Sequence, residues 1–122
     1  MSKTLLVTDD ALIIREMIKD AAREAGWEIV GEATNGQEAV ERFDELNPDA
    51  VTLDLVMPDF DGLHALRGIA ERNGSDRVLI VSALDQSDVL KQALRLGAAD
   101  FIVKPFDKNR LVGALDKLLV NA

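Results

Sequence analysis

The chain has 122 residues, 48% hydrophobic and 30% charged, with a formal net charge of −8. That length can bury roughly two-thirds of the unfolded surface, enough for one independent core, and the acidic balance argues against nucleic acid or an anionic membrane surface as a direct partner. No run approaches the ~20 apolar residues of a membrane span, so membrane insertion is excluded, and the lack of cysteine and of a signal-peptide pattern in MSKTLLVTDD points to the cytoplasm.

Hydrophobic period and breakers divide the chain into alternating strands and helices. Residues 4–8 read as a buried strand that stops at Asp9-Asp10. A helical pattern follows over 11–25, with Ile14, Ile18 and Ala21 on the core stripe, Leu12 and Ile13 off it, and Gly26 as its stop. Asp10 stands where it could cap this helix at its start. A second strand over 28–33, opened by Trp27, leads to a helix over 36–46 ended by Asn47-Pro48. The third strand, 50–53, runs into VTLDLVMPDFDG, where Asp54 closes the strand and Pro58 and Gly62 break the chain before a helix over 63–73. A fourth strand over 77–82 ends at Ser82, and a helix over 86–96 is closed by Gly97. A fifth strand over 100–103 meets Lys104-Pro105 before the last helix, 108–120. Near-continuous apolar strands imply a sheet covered on both faces. Strand–helix–strand units with short connections imply right-handed crossovers, hence an α/β, doubly wound parallel sheet of five strands with five helices in a single domain over 1–122.

Asp54 lies at the C-terminal end of a strand, where open parallel sheets bind their ligands. Asp9 and Asp10 end another strand, and two consecutive aspartates exceed what one cap needs. If the two strands are neighbours, three carboxylates converge and each disfavours the ionised form of the others. A hard, oxygen-seeking cation explains such a cluster, and Mg²⁺ fits best. Without cysteine, and with only the isolated His64, which reads as a surface residue, a zinc site is not supported. The same repulsion predicts that replacing Asp9, Asp10 or Asp54 by Asn or Ala stabilises the metal-free fold. Ser82 and Lys104 end strands on the same side, and a hydroxyl and an ammonium facing three carboxylates and a cation are suited to hold a phosphoryl group.

The Asp9-Asp10 pair, the DLVMPDFDG stretch at 54–62, Ser82-Ala83 and the KPF at 104–106 together resemble the receiver domain of two-component response regulators, over essentially the whole chain. The likeness is strongest to the stand-alone, chemotaxis-type members. The resemblance implies a flavodoxin-like, receiver-type sheet with strand order 2-1-3-4-5. It implies that Asp54 is the phosphoacceptor, and that Asp10 ligates Mg²⁺ directly and Asp9 through water, with Asp54 and the Val56 backbone carbonyl as further ligands. Ser82 would bond the phosphoryl group and Lys104 would pair with its oxygens. Ser82 and Phe101 would form the switch, Phe101 without the tyrosine hydroxyl of some members, and Lys104-Pro105 would be a cis peptide. Val56 and Leu84, two residues beyond Asp54 and Ser82, are both apolar, so no polar side chain there is expected to speed hydrolysis.

The implied partners are a histidine kinase or histidine phosphotransfer protein and a downstream effector protein, such as a motor or enzyme component. With no DNA-binding or catalytic extension, output is expected from contacts of this domain, and the chain is expected to catalyse only its own phosphorylation and dephosphorylation. Leu12 and Ile13 are candidates for docking the phosphodonor. On the fourth helix Val89, Leu90, Ala93, Leu94 and Leu96 span roughly 160°, wider than the ~100° of a core stripe, which makes Leu90 and Leu94, with Phe101 and the last helix, candidates for an effector surface. Other readings are a place in another phosphorelay, as intermediate or phosphate sink, and a phosphorylation-independent binding module. A phosphohydrolase resembling the haloacid dehalogenases would carry a second aspartate where Val56 stands, and a flavin-binding protein would carry a hydroxyl-rich loop after the first strand.

Overall fold

Five parallel strands in the order β2-β1-β3-β4-β5 make one sheet, as expected. The computed structural model describes residues 3–83 and 87–120. In chain order these hold β1 (Lys3–Thr8), α1 (Leu12–Glu24), β2 (Trp27–Ala33), α2 (Gly36–Leu46), β3 (Ala50–Leu53), α3 (Gly62–Glu71), β4 (Val78–Ala83), α4 (Ser87–Arg95), β5 (Asp100–Lys104) and α5 (Lys108–Val120). The expectations for Leu84 and for a helix start at Gln86 lie outside the described residues.

Alternation along the strands sorts side chains between two cores. Leu5, Val7, Leu79, Val81 and Ile102 meet Ile18, Ala21 and Ala22 of α1 and Leu111, Ala114, Leu115 and Leu118 of α5. Leu6, Val51, Leu53, Val78 and Ile80 face the other way, onto Ala39 and Phe43 of α2, Leu63, Leu66 and Ile69 of α3 and Ala93 of α4. Burying a leucine or isoleucine fully contributes about 1.5–3 kcal/mol, and among the described residues twelve large side chains, all leucine or isoleucine and all but Leu55 on the strands and helices above, are almost wholly buried. This sandwich can carry a polar, self-repelling site at its edge. Trp27 is packed into the α1/α5 side, with its indole N–H donating to Asp116 at 3.3 Å.

Local chemistry sets the element ends. Gly26 and Gly97 follow α1 and α4 at φ of 90° and 103°, and Asn47 ends α2 in the left-handed region at 45°, where the cost to most L-residues favours Gly and Asn. Asp61 accepts from the His64 N–H at 2.9 Å, so α3 starts at Gly62, a residue before the expected start. Arg77, expected in the fourth strand, instead ends a 3₁₀ turn over Ser75–Arg77, and that strand gains Ala83, which pairs with Lys104. His64 is a partly exposed surface residue, its Nε2 3.0 Å from Gln37 Oε1 and its ring 4.7 Å from that of Phe60. Among the described residues, no helix is long and apolar enough to cross a membrane.

Candidate functional site

Parallel register brings the acidic residues together. Thr8 pairs with Leu53, so Asp9 and Asp54 leave neighbouring strands side by side. Their own amides extend the ladder, Asp54 N–H to the Thr8 carbonyl and Asp9 N–H to the Ala33 carbonyl, each at 3.1 Å. Asp9, Asp10 and Asp54 each offer a carboxylate oxygen, and these lie within 4.8 Å of one another. Asp9 is 1% and Asp54 6% exposed, whereas Asp10 faces solvent. From the other side of the sheet, Ser82 pairs with Val103 and Ala83 with Lys104, which puts the buried Ser82 and the Lys104 stem on the same edge. The Lys104 ammonium bridges the carboxylates, 2.7 Å from Asp9 Oδ2 and 3.4 Å from Asp54 Oδ2. Lys104-Pro105 is cis.

The two buried aspartates differ in how they are held. Asp9 Oδ1 accepts the Ala11 N–H at 2.9 Å and Oδ2 accepts from Lys104, so both its oxygens are engaged. The expected cap by Asp10 is therefore not formed: α1 begins at Leu12, Ala11 is its N-cap residue, and the bond to the free Ala11 N–H comes from Asp9. Asp54 Oδ1 has only a long 3.4 Å bond from the Val56 N–H. Burial pushes its carboxyl above the ordinary carboxylate value; Lys104 opposes this and the Asp9 charge adds to it. Buried and solvent-facing carboxylates with no sulfur or imidazole among them form a hard oxygen donor set that fits Mg²⁺.

Two glycines, Gly62 read in the sequence as a breaker and Gly36 only as a helix start, shape this edge. The Gly62 N–H donates to the Leu55 carbonyl at 3.1 Å, and a Cβ built there would overlap the Asp54 carbonyl oxygen and the Leu55 Cα. Gly36 donates to the Phe60 carbonyl at 2.5 Å, and a Cβ there would overlap the carbonyl oxygens of Phe60 and Asp61. Both let the chain after Asp54 fold back onto its neighbours. Arg15, also unremarked in the sequence, donates through Nη1 to the Asp9 carbonyl at 2.8 Å. Its signal was faint: Arg15 and Lys19 are basic residues four apart on one side of α1.

Leu12 and Ile13 are 61% and 67% exposed, and Val56 and Phe60 also face solvent. Of the effector-surface candidates, Leu94 is 40% exposed, whereas Leu90 and Phe101 are half-buried against the α2/α3/α4 core.

Comparison with known proteins agrees with this arrangement. "Chemotaxis protein CheY" of Thermotoga maritima is 45% identical over 118 residues, covering 97% of this chain and 98% of that protein. "Chemotaxis protein CheY" of Bacillus subtilis is 43% identical over 119 residues, covering 98% and 99%. Among solved structures, the response regulator domain of Thermotoga maritima CheB is 34% identical with a TM-score of 0.83, covering 98% of this chain and 96% of that one. The CheX-CheY-BeF3-Mg complex from Borrelia burgdorferi gives 32% identity and a TM-score of 0.87, covering 95% and 88%. The family model described as the response regulator receiver domain matches residues 5–116, from β1 into α5. The chain belongs to the family of response regulator receiver domains.

Proposed function

We propose that this chain is a chemotaxis-type response regulator that takes a phosphoryl group onto Asp54 from a histidine kinase or histidine phosphotransfer protein, in a Mg²⁺-dependent reaction, and then engages an effector protein differently. The observation that carries this reading is the setting of Asp54: a buried, weakly bonded carboxylate 3.4 Å from the Lys104 ammonium, with Asp9 and Asp10 oxygens within 4.8 Å. Relatives named as chemotaxis proteins, matched over nearly the whole chain, support the signalling context. Cytoplasmic residence follows from that context.

An Asp54 oxygen attacks phosphorus in line, forming a P–O bond as the P–N bond to the donor imidazole breaks. The electron pair stays on the imidazole nitrogen, which takes a proton from solvent. A carboxylate is a modest nucleophile, so most of the rate comes from charge neutralisation around the group in transfer. Lys104 supplies one positive charge and turns from Asp9 toward the new oxygens; the Ser82 hydroxyl donates to another. Asp10, Asp54 and the Val56 carbonyl, with Asp9 through water, would hold Mg²⁺, whose charge would neutralise the remaining oxygens. Water attack on phosphorus later returns the carboxylate and inorganic phosphate, and Val56 offers no polar side chain to assist it. Turnover is confined to Asp54, so the chain is not an enzyme toward an external substrate.

The product has at least one more negative charge than the aspartate it replaces. Recruiting Ser82 and Lys104 to it biases the half-buried Phe101 and the neighbouring Leu90 and Leu94 between two packings, which is how a local charge becomes a changed binding face. The exposed Leu12 and Ile13 give the phosphodonor apolar contact beside the acidic edge. The phosphoryl mimic beryllofluoride tests this. Added with Mg²⁺, it should shift the amide resonances of Asp54, Ser82 and Lys104 together with those of Phe101 and Leu94. Shifts confined to the acidic edge would refute the switch; no shifts at all would refute the phosphoryl site.

A further inference from the structure

The bonding of Asp9 leads out of the acidic edge to its rear. The Asp9 carbonyl belongs to the peptide that joins Asp9 to Asp10, and that peptide is planar. Whatever fixes its oxygen restricts both the ψ of Asp9 and the φ of Asp10, and hence the mutual position of the two carboxylates. Arg15, its side chain only 13% exposed, donates to that oxygen through Nη1 at 2.8 Å and to Glu32 Oε1 through Nε at 3.0 Å. Glu32 is itself held, since its other oxygen accepts from Lys19 at 3.1 Å and Lys19 lies 2.7 Å from Glu16. A guanidinium is a planar fork that can serve two acceptors at fixed spacing; an ammonium on a flexible stem is not. The Arg15 hydrogen bonds go to the Asp9 carbonyl and to Glu32, not to the Asp9, Asp10 or Asp54 carboxylates.

We propose that Arg15, oriented by Glu32, is a positioning residue that sets the spacing of the Asp9 and Asp10 carboxylates for Mg²⁺ by clamping the peptide between them. The inference rests on the reading of this edge as a Mg²⁺ site. The test is calorimetric titration of the whole chain with Mg²⁺ at fixed ionic strength, for wild type, Arg15→Lys and Arg15→Met. Arg15→Lys keeps the charge and loses the fork; its Kd should rise on the order of 10-fold, the usual consequence of losing a group that orients a metal ligand. Arg15→Met removes a positive charge, which alone would tighten cation binding, so a raised Kd there too has only lost positioning to explain it. The Asp10 amide resonance should move in both variants before any metal is added, which a merely stabilising ion pair would not cause. Wild-type binding with an unchanged or lower Kd in the variants overturns the positioning role and leaves the metal site standing. A wild type that binds no Mg²⁺ overturns both.

Discussion

Asp9 and Asp54 are neighbouring buried carboxylates with opposite bonding, and this separates what their replacement should do. Charge repulsion alone treats Asp9, Asp10 and Asp54 alike and predicts that each substitution stabilises the metal-free fold. Asp54 still fits that expectation: burial raises its carboxyl and its only backbone bond is long. Asp54→Asn should raise the melting temperature at neutral pH in chelator. The sign with pH follows from the raised folded value. The folded wild type binds more protons than the unfolded chain, so its handicap is present above the folded pKa and disappears as pH falls below it. The advantage of Asp54→Asn should therefore shrink in acid, which melting curves of the pair across pH would show. Asp9→Ala should do the reverse and lower stability by about 1–3 kcal/mol, because the Ala11 N–H loses its acceptor and Lys104 its nearer carboxylate.

At the scale of elements, the helix starts carry titratable chemistry. Asn35 caps α2 by accepting the Glu38 N–H at 2.9 Å, and Glu38 reaches back to accept the Thr34 N–H at 2.7 Å and the Thr34 hydroxyl at 2.8 Å. The backbone bond from Thr34 is the main reason that Glu38 is held below its ordinary value. A depressed folded value gives stability that is present above the unfolded value and lost as pH falls through the folded one. Glu38→Gln should thus cost most near neutrality and progressively less in acid, and Asn35→Ala should cost about 1 kcal/mol; chemical unfolding at several pH values checks both. The helix stops at Gly26, Asn47 and Gly97 were legible as breakers, and the convergence of Asp9, Asp10, Asp54, Ser82 and Lys104 on one edge because strand ends in a parallel sheet share a side. The Arg15 clamp was not. It depends on an irregularity in β1–β2 pairing, where Leu5 pairs with Ile29 but Leu6 with Gly31, so that Glu32 aligns with Val7 and turns toward α1. A one-residue shift in register exchanges the faces of a strand, and no hydrophobic pattern in WEIVGEA announces it. That Asp9 rather than Asp10 accepts the Ala11 N–H was hidden for a related reason: it depends on backbone direction after β1.

For the whole molecule, two apolar cores on either side of the sheet supply stability that the acidic edge does not. That division lets Asp54 stay buried with a raised carboxyl and lets the exposed Leu12 and Ile13 flank the site without a core role. Leu94 is exposed on α4, while Leu90 and Phe101 stay half-buried against the core, so an effector face that includes all three needs a change of packing. The central claim, that this edge exists to carry a phosphoryl group on Asp54, is tested most directly by intact mass after incubation with acetyl phosphate, with and without Mg²⁺, for wild type and Asp54→Ala. A gain of one phosphoryl group that requires Mg²⁺ and is absent from Asp54→Ala is the predicted result. The same gain in Asp54→Ala, or none in a wild type that binds beryllofluoride and Mg²⁺, would contradict it.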